Sequence, residues 1–341
     1  MMMNGWILKM KETYKRTLPK LDLNVTNRCN FRCKHCAFDS GIIKMSELSL
    51  KELEKILKET KQLGGKRVDI TGGEPLVRKD LEKIIRLCKK YKYKTELVTN
   101  ASLLTLDKLK KFKKLGLQGI AISLDGSNSE TYNQIRCKNK QTFSKVIKNI
   151  KLAKKLSFYT KINTVVFQSN LLDLPNIAEL CIKLKVDELG LYYFTPVGRG
   201  NRTKQLAVEP IAWLRFIRKK LKPFENKIKI SLEFPLIKKQ YYNKNLGCIA
   251  NTEQSHLQIL PDGNVYPCAI LASYNKPVAN LKEKSVKQIW KNKKLWKNYW
   301  KQASSSFCGD SCVNFNAFNV KDYQDYGFVC PIRKFNLEDI K

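Results

Sequence analysis

Residues 21–36, LDLNVTNRCNFRCKHC, join an apolar run to a loop that carries three cysteines. The apolar run, LDLNVT, has the pattern of a β-strand. Five further runs of this kind follow at residues 67–72 (RVDITG), 94–99 (KTELVT), 119–124 (GIAISL), 161–167 (KINTVVF) and 188–194 (ELGLYYF). Helical patterns begin between them near Leu50, Asp80, Thr105, Thr142 and Leu171. Strands that alternate with helices in this way predict a parallel sheet built from βα units.

The crossovers of such a chain are right-handed, so the sheet either opens into a doubly wound sheet or curls into a full or partial barrel. In both architectures, ligands bind at the carboxyl ends of the strands. Polar residues stand at these ends after the first four strands: Thr26 and Asn27, Thr71 to Glu74, Thr99 and Asn100, and Ser123 to Gly126. We therefore expect the functional site at this edge of the sheet.

Cys29, Cys33 and Cys36 form the pattern CxxxCxxC directly after the first strand. Three thiolates at this spacing can bind three irons of a [4Fe–4S] cluster, and the motif leaves the fourth iron without a protein ligand. Such an iron can bind a substrate directly. The alternative is half of a zinc site, but the next cysteine, Cys88, falls on an apolar helical face and is better explained as part of the core.

This cysteine pattern resembles the CxxxCxΦC motif of the radical S-adenosylmethionine (SAM) enzymes, with His35 at the aromatic position. Gly72, Gly73 and Glu74, in the run GGEP after the second strand, resemble a second motif of that family. The resemblance implies that SAM chelates the open iron and that its reductive cleavage yields methionine and a 5′-deoxyadenosyl radical. Glycines let the backbone approach a ligand closely, and the Glu74 carboxylate is a candidate acceptor for the SAM ammonium group.

Further SAM contacts follow from the resemblance. Thr99, Asn100, Ser123 and Asp125 occupy positions where the family contacts the ribose and methionine parts of SAM. Arg136 matches an arginine that can pair with the SAM carboxylate. Each of these residues could instead cap a helix or stabilise a turn.

The C-terminal region holds five of the eleven cysteines. Gly263 and Cys268 form a GxxxxC pattern that resembles the SPASM and twitch extensions of some radical SAM enzymes, which hold auxiliary iron–sulfur clusters. Five cysteines are enough for one complete cluster, and a zinc ribbon is the alternative. By resemblance, the predicted ligands are Cys248, Cys268 and Cys312, at positions of the first auxiliary cluster of full SPASM domains, and Cys308 and Cys330, at positions of the second. Either one of the last two completes the first cluster, or both hold an incomplete second cluster with other ligands.

The composition is that of a globular protein: 341 residues, of which 43% are hydrophobic. No apolar run approaches the roughly 18 to 20 residues of a membrane span, and the apolar stretch at the N-terminus is too short for a signal peptide. We therefore expect a cytoplasmic protein without a membrane partner. In that setting the cysteines are better explained as metal ligands than as disulfides.

The formal charge of +35 would attract nucleic acid if the basic residues clustered on one surface. The lysines instead recur between apolar residues along helical stretches, as expected of solvated helix faces. Residues 291–302, KNKKLWKNYWKQ, are the best candidate for nucleic-acid contact, although we expect their aromatic side chains to pack inward. A zinc-containing nucleic-acid-binding protein is therefore the alternative from another functional class, and it is not favoured.

Together these patterns predict an α/β protein with a partial (βα)6 TIM-like barrel, followed by a small cysteine-rich α+β domain of the SPASM/twitch type. The predicted ranges are an N-terminal extension (1–20), a radical SAM core (21–205), a helical linker (206–245), an auxiliary cluster domain (246–335) and a tail (336–341). Tyr192, Tyr193 and Arg199, at and after the sixth strand, are candidates to line a substrate cavity.

The resemblance implies a reaction that begins with hydrogen abstraction from a carbon of the substrate. The extension points to a peptide or a peptide-derived cofactor precursor as the substrate, and a heme or other tetrapyrrole side chain is the alternative. The expected substrate partner is thus a peptide or a small molecule. The expected partner is an electron donor such as ferredoxin or flavodoxin.

Overall fold

The computed structural model describes residues 17–42, 45–136, 139–233, 236–238, 256–273, 276–304, 326–328 and 334–336. All six predicted strands are present, and helices separate them as predicted. The strands are β1 Lys20–Asn24, β2 Arg67–Thr71, β3 Lys94–Thr99, β4 Gly119–Ser123, β5 Tyr159–Val166, β6 Glu188–Tyr193, β7 Lys229–Glu233, β8 Leu236–Lys238, β9 His256–Ile259, β10 Asn264–Tyr266, β11 Ala279–Asn280, β12 Tyr326–Phe328 and β13 Lys334–Asn336.

In the described ranges, seven α-helices lie between strands β1 and β7 in the chain, and two more follow strand β11. They are α1 Leu50–Gln62, α2 Leu81–Lys90, α3 Leu106–Lys114, α4 Ser129–Arg136, α5 Lys140–Lys155, α6 Leu174–Lys183, α7 Pro210–Phe216, α8 Val286–Lys291 and α9 Lys293–Ser304. The fourth crossover holds two helices, because the short α4 precedes the predicted α5. Within the ranges given above, no helix combines the length and the apolar character that crossing a membrane requires.

Strands β1 to β6 pair in chain order and in parallel, which is the order of the predicted partial (βα)6 barrel. Strand β7 pairs in parallel with β6 and extends this order. The predicted helical linker therefore also contributes a strand to the sheet. It does contain the expected helix α7, which continues as a π-helical turn at Ile217–Leu221.

Helix α1 shows how the local sequence sets the crossovers. Ser49 and Glu52 form a capping box, in which each side chain bonds the backbone N–H of the other residue. Leu53, Ile56 and Leu57 follow at helical spacing and are buried against the sheet. The capping box determines where helix α1 begins, and the apolar face of the helix determines how it packs on the sheet.

The two faces of strands β1 and β2 differ in polarity. Leu21 and Leu23 of β1 and Val68 of β2 are fully buried in the apolar core. The alternate residues of the same strands are charged, and Lys20 and Arg67 lie directly opposite each other. Both cations pair with Asp69, at 2.9 Å from Lys20 and 2.6 Å from Arg67. Ion pairs thus cover the polar face of β1 and β2 in their amino-terminal halves.

The region after residue 255 joins the barrel at its first strand. Strand β9 pairs in parallel with β1, and β10 and β11 follow as antiparallel neighbours, so the described strands include one sheet of eleven. Trp296 and Tyr299 of α9 are buried, and the Trp296 indole donates a hydrogen bond to the Ile289 carbonyl at 2.8 Å. The expectation that these aromatic side chains pack inward is therefore right for both residues.

Candidate functional site

The three N-terminal cysteines lie in the loop that follows β1, at the carboxyl edge of the sheet. Cys33 is buried, and Cys29 and Cys36 are partly buried. Backbone N–H groups point at two of the sulfurs: Phe31 N donates to Cys29 Sγ and Ser40 N donates to Cys36 Sγ, each at 3.3 Å. The loop thus presents thiols with hydrogen bonds already directed at them, as iron–sulfur ligands commonly have.

Three thiols on one loop match the cysteine donor set of an iron–sulfur cluster. Within the described residues, no three His, Cys, Asp or Glu side chains converge on the position of one metal ion. A four-iron cluster instead places each cysteine on a different iron. Burial raises the pKa of Cys29, and it raises the pKa of Cys33 to about 11. Both thiols are therefore protonated near neutral pH in the free protein, and cluster binding must release these protons.

The GGEP loop after β2 packs so closely against the start of the cysteine loop that its two glycines have no room for a side chain. A Cβ atom on Gly72, whose φ is +151°, would lie 2.5 Å from the Thr26 carbonyl oxygen, and one on Gly73 would lie 2.3 Å from that of Arg28. Gly73 N and Glu74 N donate hydrogen bonds to these two carbonyls at 2.7 and 2.9 Å. Glycine is required here because the two loops share backbone hydrogen bonds.

The Glu74 carboxylate is fully buried and already has three donors. Thr99 Oγ1 donates to it at 2.7 Å, Asn100 N at 2.8 Å and Leu76 N at 3.1 Å. Burial raises the pKa of Glu74, and the hydrogen bonds from Thr99, Asn100 and Leu76 act in the opposite direction. The structure thus shows Glu74 joining the loops after β2 and β3.

Asn100 joins the end of β3 to the cysteine loop. Its Nδ2 donates to Asn30 Oδ1 at 3.0 Å, and its Oδ1 accepts the N–H of Ser102 at 2.9 Å. Asn30 lies between the first two cysteines and also donates to Ser102 Oγ at 2.9 Å. Asn100 therefore has the turn-stabilising role considered for it, and Asn30 is a site residue that the motif search did not single out.

Asp125 and Arg136 form a buried ion pair beside the second cysteine. Arg136 Nε donates to Asp125 Oδ2 at 2.5 Å, and Arg136 Nη1 lies 3.8 Å from Cys33 Sγ. Asp125 also accepts the N–H of Val165 at 2.8 Å, which ties this pair to β5. The guanidinium predicted to meet the SAM carboxylate is thus held between a carboxylate of the protein and a cluster thiol.

His35 packs against this pair from inside the cysteine loop. Its Nε2 lies 3.9 Å from Asp125 Oδ2, and its ring contacts the Phe167 ring at 5.3 Å between centroids. Burial and the nearby charge of Arg136 lower the pKa of His35 to about 4, so the ring is neutral at neutral pH. Its Nδ1 is buried without a hydrogen-bond partner in the described structure, which leaves a polar atom for a bound group.

Ser123 lies at the end of β4, half-buried and directly opposite Asn163 of β5. Asn163 Oδ1 accepts a hydrogen bond from the Tyr192 hydroxyl at 3.1 Å. Ser123, Asn163 and Tyr192 therefore form a polar face across three neighbouring strands. Tyr193, by contrast, is buried and donates its hydroxyl to the Val208 carbonyl.

The segment after β6 closes over the cysteine loop. Arg199 N donates to the Cys36 carbonyl at 2.9 Å, Arg199 Nε donates to the Cys33 carbonyl at 2.8 Å, and its guanidinium pairs with Asp39 at 3.0 Å. Gly198 has a φ of +55°, and a Cβ atom there would lie 2.2 Å from the Ala37 carbonyl oxygen. Arg199 was a candidate to line the substrate cavity, and the structure shows that it holds the cysteine loop. The adjacent Gly198 was the sequence feature that could have indicated this close contact.

The C-terminal region also reaches this loop. Ser273 Oγ donates to the Ala37 carbonyl at 2.8 Å, five residues after Cys268. Cys268 is buried, and its sulfur accepts the N–H of Leu271 at 3.4 Å. The other predicted auxiliary ligands lie outside the described residues: Cys248, Cys308, Cys312 and Cys330.

Two family profiles match the chain. The profile of the radical SAM superfamily matches residues 23–181, and that of the SPASM iron–sulfur cluster-binding domain matches residues 248–313. An AdoMet-dependent heme synthase from Methanosarcina barkeri (strain Fusaro / DSM 804) is 26% identical over 294 residues, which are 80% of this chain and 82% of that relative.

Solved structures share the fold. SuiB from Streptococcus suis, bound to the precursor peptide SuiA, superposes with a TM-score of 0.71 at 20% identity, over 83% of this chain and 67% of SuiB. The structure of anSMEcpe with bound AdoMet superposes with a TM-score of 0.62 at 19% identity, over 82% of each chain.

The matched ranges contain the cysteine loop, the GGEP loop and Cys268. The cofactors of this protein are a [4Fe–4S] cluster, SAM and auxiliary iron–sulfur clusters, which the C-terminal region binds. The chain is an enzyme of the radical SAM superfamily with a C-terminal SPASM domain.

Proposed function

We propose that this enzyme abstracts a hydrogen atom from a carbon of a peptide or of a peptide-derived cofactor precursor. The observation that carries this proposal is the likeness to SuiB over 83% of the chain, since SuiB was crystallised with its precursor peptide. The polar face of Ser123, Asn163 and Tyr192 supports it. Amide and hydroxyl groups on neighbouring strands can both donate to and accept from a peptide backbone.

In this proposal Cys29, Cys33 and Cys36 bind the [4Fe–4S] cluster. Bound there together, the cluster and SAM supply the 5′-deoxyadenosyl radical. Gly72 and Gly73 allow the backbone to approach SAM without side chains.

The remaining predicted SAM residues divide into two groups. Glu74 and Thr99 bond each other in the protein, so we propose that they hold the loop that contacts SAM. Asp125 and Arg136 are paired in the same way and orient the neighbouring His35 ring and Cys33. His35 Nδ1 and Ser123 are the proposed direct contacts to SAM. Asn100, whose amide bonds Asn30 and Ser102, is proposed to hold the loop beside SAM.

Cys248, Cys268 and Cys312 are the proposed ligands of one auxiliary cluster, and Cys308 or Cys330 supplies its fourth ligand. This cluster binds the substrate or accepts an electron from the product radical. The hydrogen bond from Ser273 to the cysteine loop supports cooperation between the two regions. We retain the predicted domain ranges, 21–205 for the core and 246–335 for the auxiliary domain. We also propose a cytoplasmic location and reduction by a ferredoxin or a flavodoxin.

A tetrapyrrole side chain is the second candidate substrate. The observation in its favour is the heme synthase from Methanosarcina barkeri, which matches this chain over four-fifths of both lengths. The first chemical step would be the same hydrogen abstraction, so only the substrate separates the two proposals.

The test of the reaction begins with anaerobic reconstitution and counts of iron and sulfide. We expect about eight irons per chain, for two four-iron clusters. Reduction in the presence of SAM should release 5′-deoxyadenosine, and Cys33→Ala should abolish this release. Cys181→Ala, which removes a fully buried thiol from α6, should leave it intact. Zinc without sulfide, with steeply salt-dependent binding of RNA or DNA, would overturn the radical SAM function in favour of the nucleic-acid-binding alternative.

The substrate is tested in the same preparation. Short peptides encoded beside the gene and a propionate-bearing iron porphyrin are offered separately, and products are analysed by mass spectrometry. A peptide that loses hydrogen while 5′-deoxyadenosine accumulates supports the first proposal. Turnover of the porphyrin alone contradicts it and supports the second.

A further inference from the structure

Helix α5 differs from the other crossover helices in its charge. Its sequence KQTFSKVIKNIKLAKK contains six lysines and no acidic residue, whereas α1 contains four lysines and three glutamates. Like charges three or four residues apart destabilise a helix. Among the described residues, Lys145, Lys148 and Lys151 form no ion pair with an acidic side chain. This helix therefore keeps a positive charge that its own sequence does not compensate.

The lysines border a small apolar groove on the outer face of α5. The groove is lined by Phe143, Ile147 and Leu152, which are half-buried, and by Lys148 and Lys151, which are exposed. We call these five residues the α5 face. An apolar centre with a charged rim is the usual arrangement of a surface that binds another protein, and the positive rim requires an acidic partner.

The α5 face lies close to the cluster site. The Phe143 ring contacts the Tyr132 ring of α4 at 5.6 Å between centroids. Tyr132 is fully buried, and its hydroxyl has no hydrogen-bond partner in the described part of the protein. Helix α4, which carries Tyr132, packs against α5.

Arg136 links Tyr132 to the cysteine loop. It lies one turn after Tyr132 on α4, and its Nη1 is 3.8 Å from Cys33 Sγ. The cysteine loop also touches the end of α4 directly, since Lys34 N donates to the Ile135 carbonyl at 3.1 Å. Helix α4 is thus the layer between α5 and the cluster ligands.

Reductive cleavage of SAM takes one electron from outside the enzyme, so a reductant must come within electron-transfer distance of the cysteine loop. We propose that the α5 face is the docking surface for an acidic one-electron carrier protein. This inference rests on the proposed radical SAM function. In each encounter the carrier loses one electron and the [4Fe–4S] cluster gains it, and no bond or proton has to move in that step.

The test compares two double charge reversals. Lys148→Glu/Lys151→Glu changes the α5 face, and Lys55→Glu/Lys58→Glu changes α1 by the same charge, at exposed positions with the same spacing. For each reconstituted protein we would measure the affinity for oxidised flavodoxin of net negative charge at low and high salt. We would also measure by stopped flow the rate of cluster reduction by flavodoxin hydroquinone and by dithionite.

We expect the α5 reversal to weaken flavodoxin binding and slow reduction by flavodoxin by about tenfold or more at low salt, because charged rims control association. The α1 reversal should have a much smaller effect, and reduction by dithionite should be unchanged in both. Equal effects of the two reversals, or none, would overturn the docking surface. The docking surface would also be overturned if the α5 reversal abolished binding to a defined single-stranded oligonucleotide but left flavodoxin binding unchanged. Absence of iron and sulfide from the wild type would instead contradict the proposed function.

Discussion

Glu74 and Asp125 are both fully buried carboxylates at strand ends, but their charges are compensated differently. Glu74 accepts hydrogen bonds from uncharged groups only, the Thr99 hydroxyl and two backbone N–H groups. Asp125 accepts from the guanidinium of Arg136 as well as from a backbone N–H. One side of the cysteine loop is therefore held by a neutral hydrogen-bond network, and the other by an ion pair.

The difference follows from what each carboxylate holds. Glu74 joins two loops of the sheet, where backbone donors are already close. Asp125 joins β5 to α4, and α4 supplies the arginine whose charge also reaches Cys33. A buried cation beside a thiol lowers the energy of the thiolate, so the ion pair also prepares a cluster ligand. We therefore expect the free energy of unfolding to fall most when the cation beside Asp125 is removed. The contribution of Glu74 to this free energy should instead depend on pH.

Arg136→Met should have the largest effect, because it leaves the Asp125 carboxylate buried without its cation. Breaking a buried pair in this way typically costs about 3–5 kcal/mol. The free energy of unfolding, measured with urea on the reconstituted enzyme under anaerobic conditions, should fall by this amount. Arg86→Met, at an exposed position of α2, is the matched control and should change it little. Similar losses for the two variants would show that the pair does not stabilise the site.

Glu74→Gln should have an intermediate effect. The amide keeps the shape of the side chain, but its NH2 group faces a donor where the carboxylate accepted a hydrogen bond. A buried polar group left without its partner costs about 1–3 kcal/mol. Urea unfolding at neutral pH measures this loss. Glu130→Gln on the exposed side of α4 is the control, and a loss no greater than that of Glu130→Gln would contradict the role of Glu74 in joining the loops.

Thr99→Val should have a smaller effect, because it removes one of three donors to Glu74 and preserves the shape of the side chain. The expected loss is about 1 kcal/mol in the free energy of unfolding. Since the hydrogen bond from Thr99 lowers the pKa of Glu74, its removal should also raise that pKa further. Thr105→Val, which removes the N-cap of α3 away from the site, gives a comparable loss without changing the titration of Glu74.

The sequence predicted the strands and the edge that carries the site, because strand alternation and polar strand ends are local signals. It named Asp125 and Arg136 separately, but their pairing depends on α4 folding back against β4. The contact of Arg199 with the carbonyls of Cys33 and Cys36 joins residues far apart in the chain, and neither residue type indicates the other. Motifs thus located the side chains, while their partners depended on tertiary packing.

The pH dependence of stability should be the smallest and most specific difference between the two carboxylates. The pKa of Glu74 is raised in the folded protein above its ordinary value of 4.5, so the folded state binds a proton that the unfolded state has released. The resulting stabilisation is fully present below pH 4.5 and is lost as the pH rises through the folded pKa. The wild type should therefore gain stability relative to Glu74→Gln as the pH is lowered towards that value. Urea unfolding of both proteins across this range measures the difference, in which the other titrating groups cancel. A difference that stays constant with pH would mean that Glu74 is ionised throughout, held by its three neutral donors as firmly as Asp125 is held by Arg136.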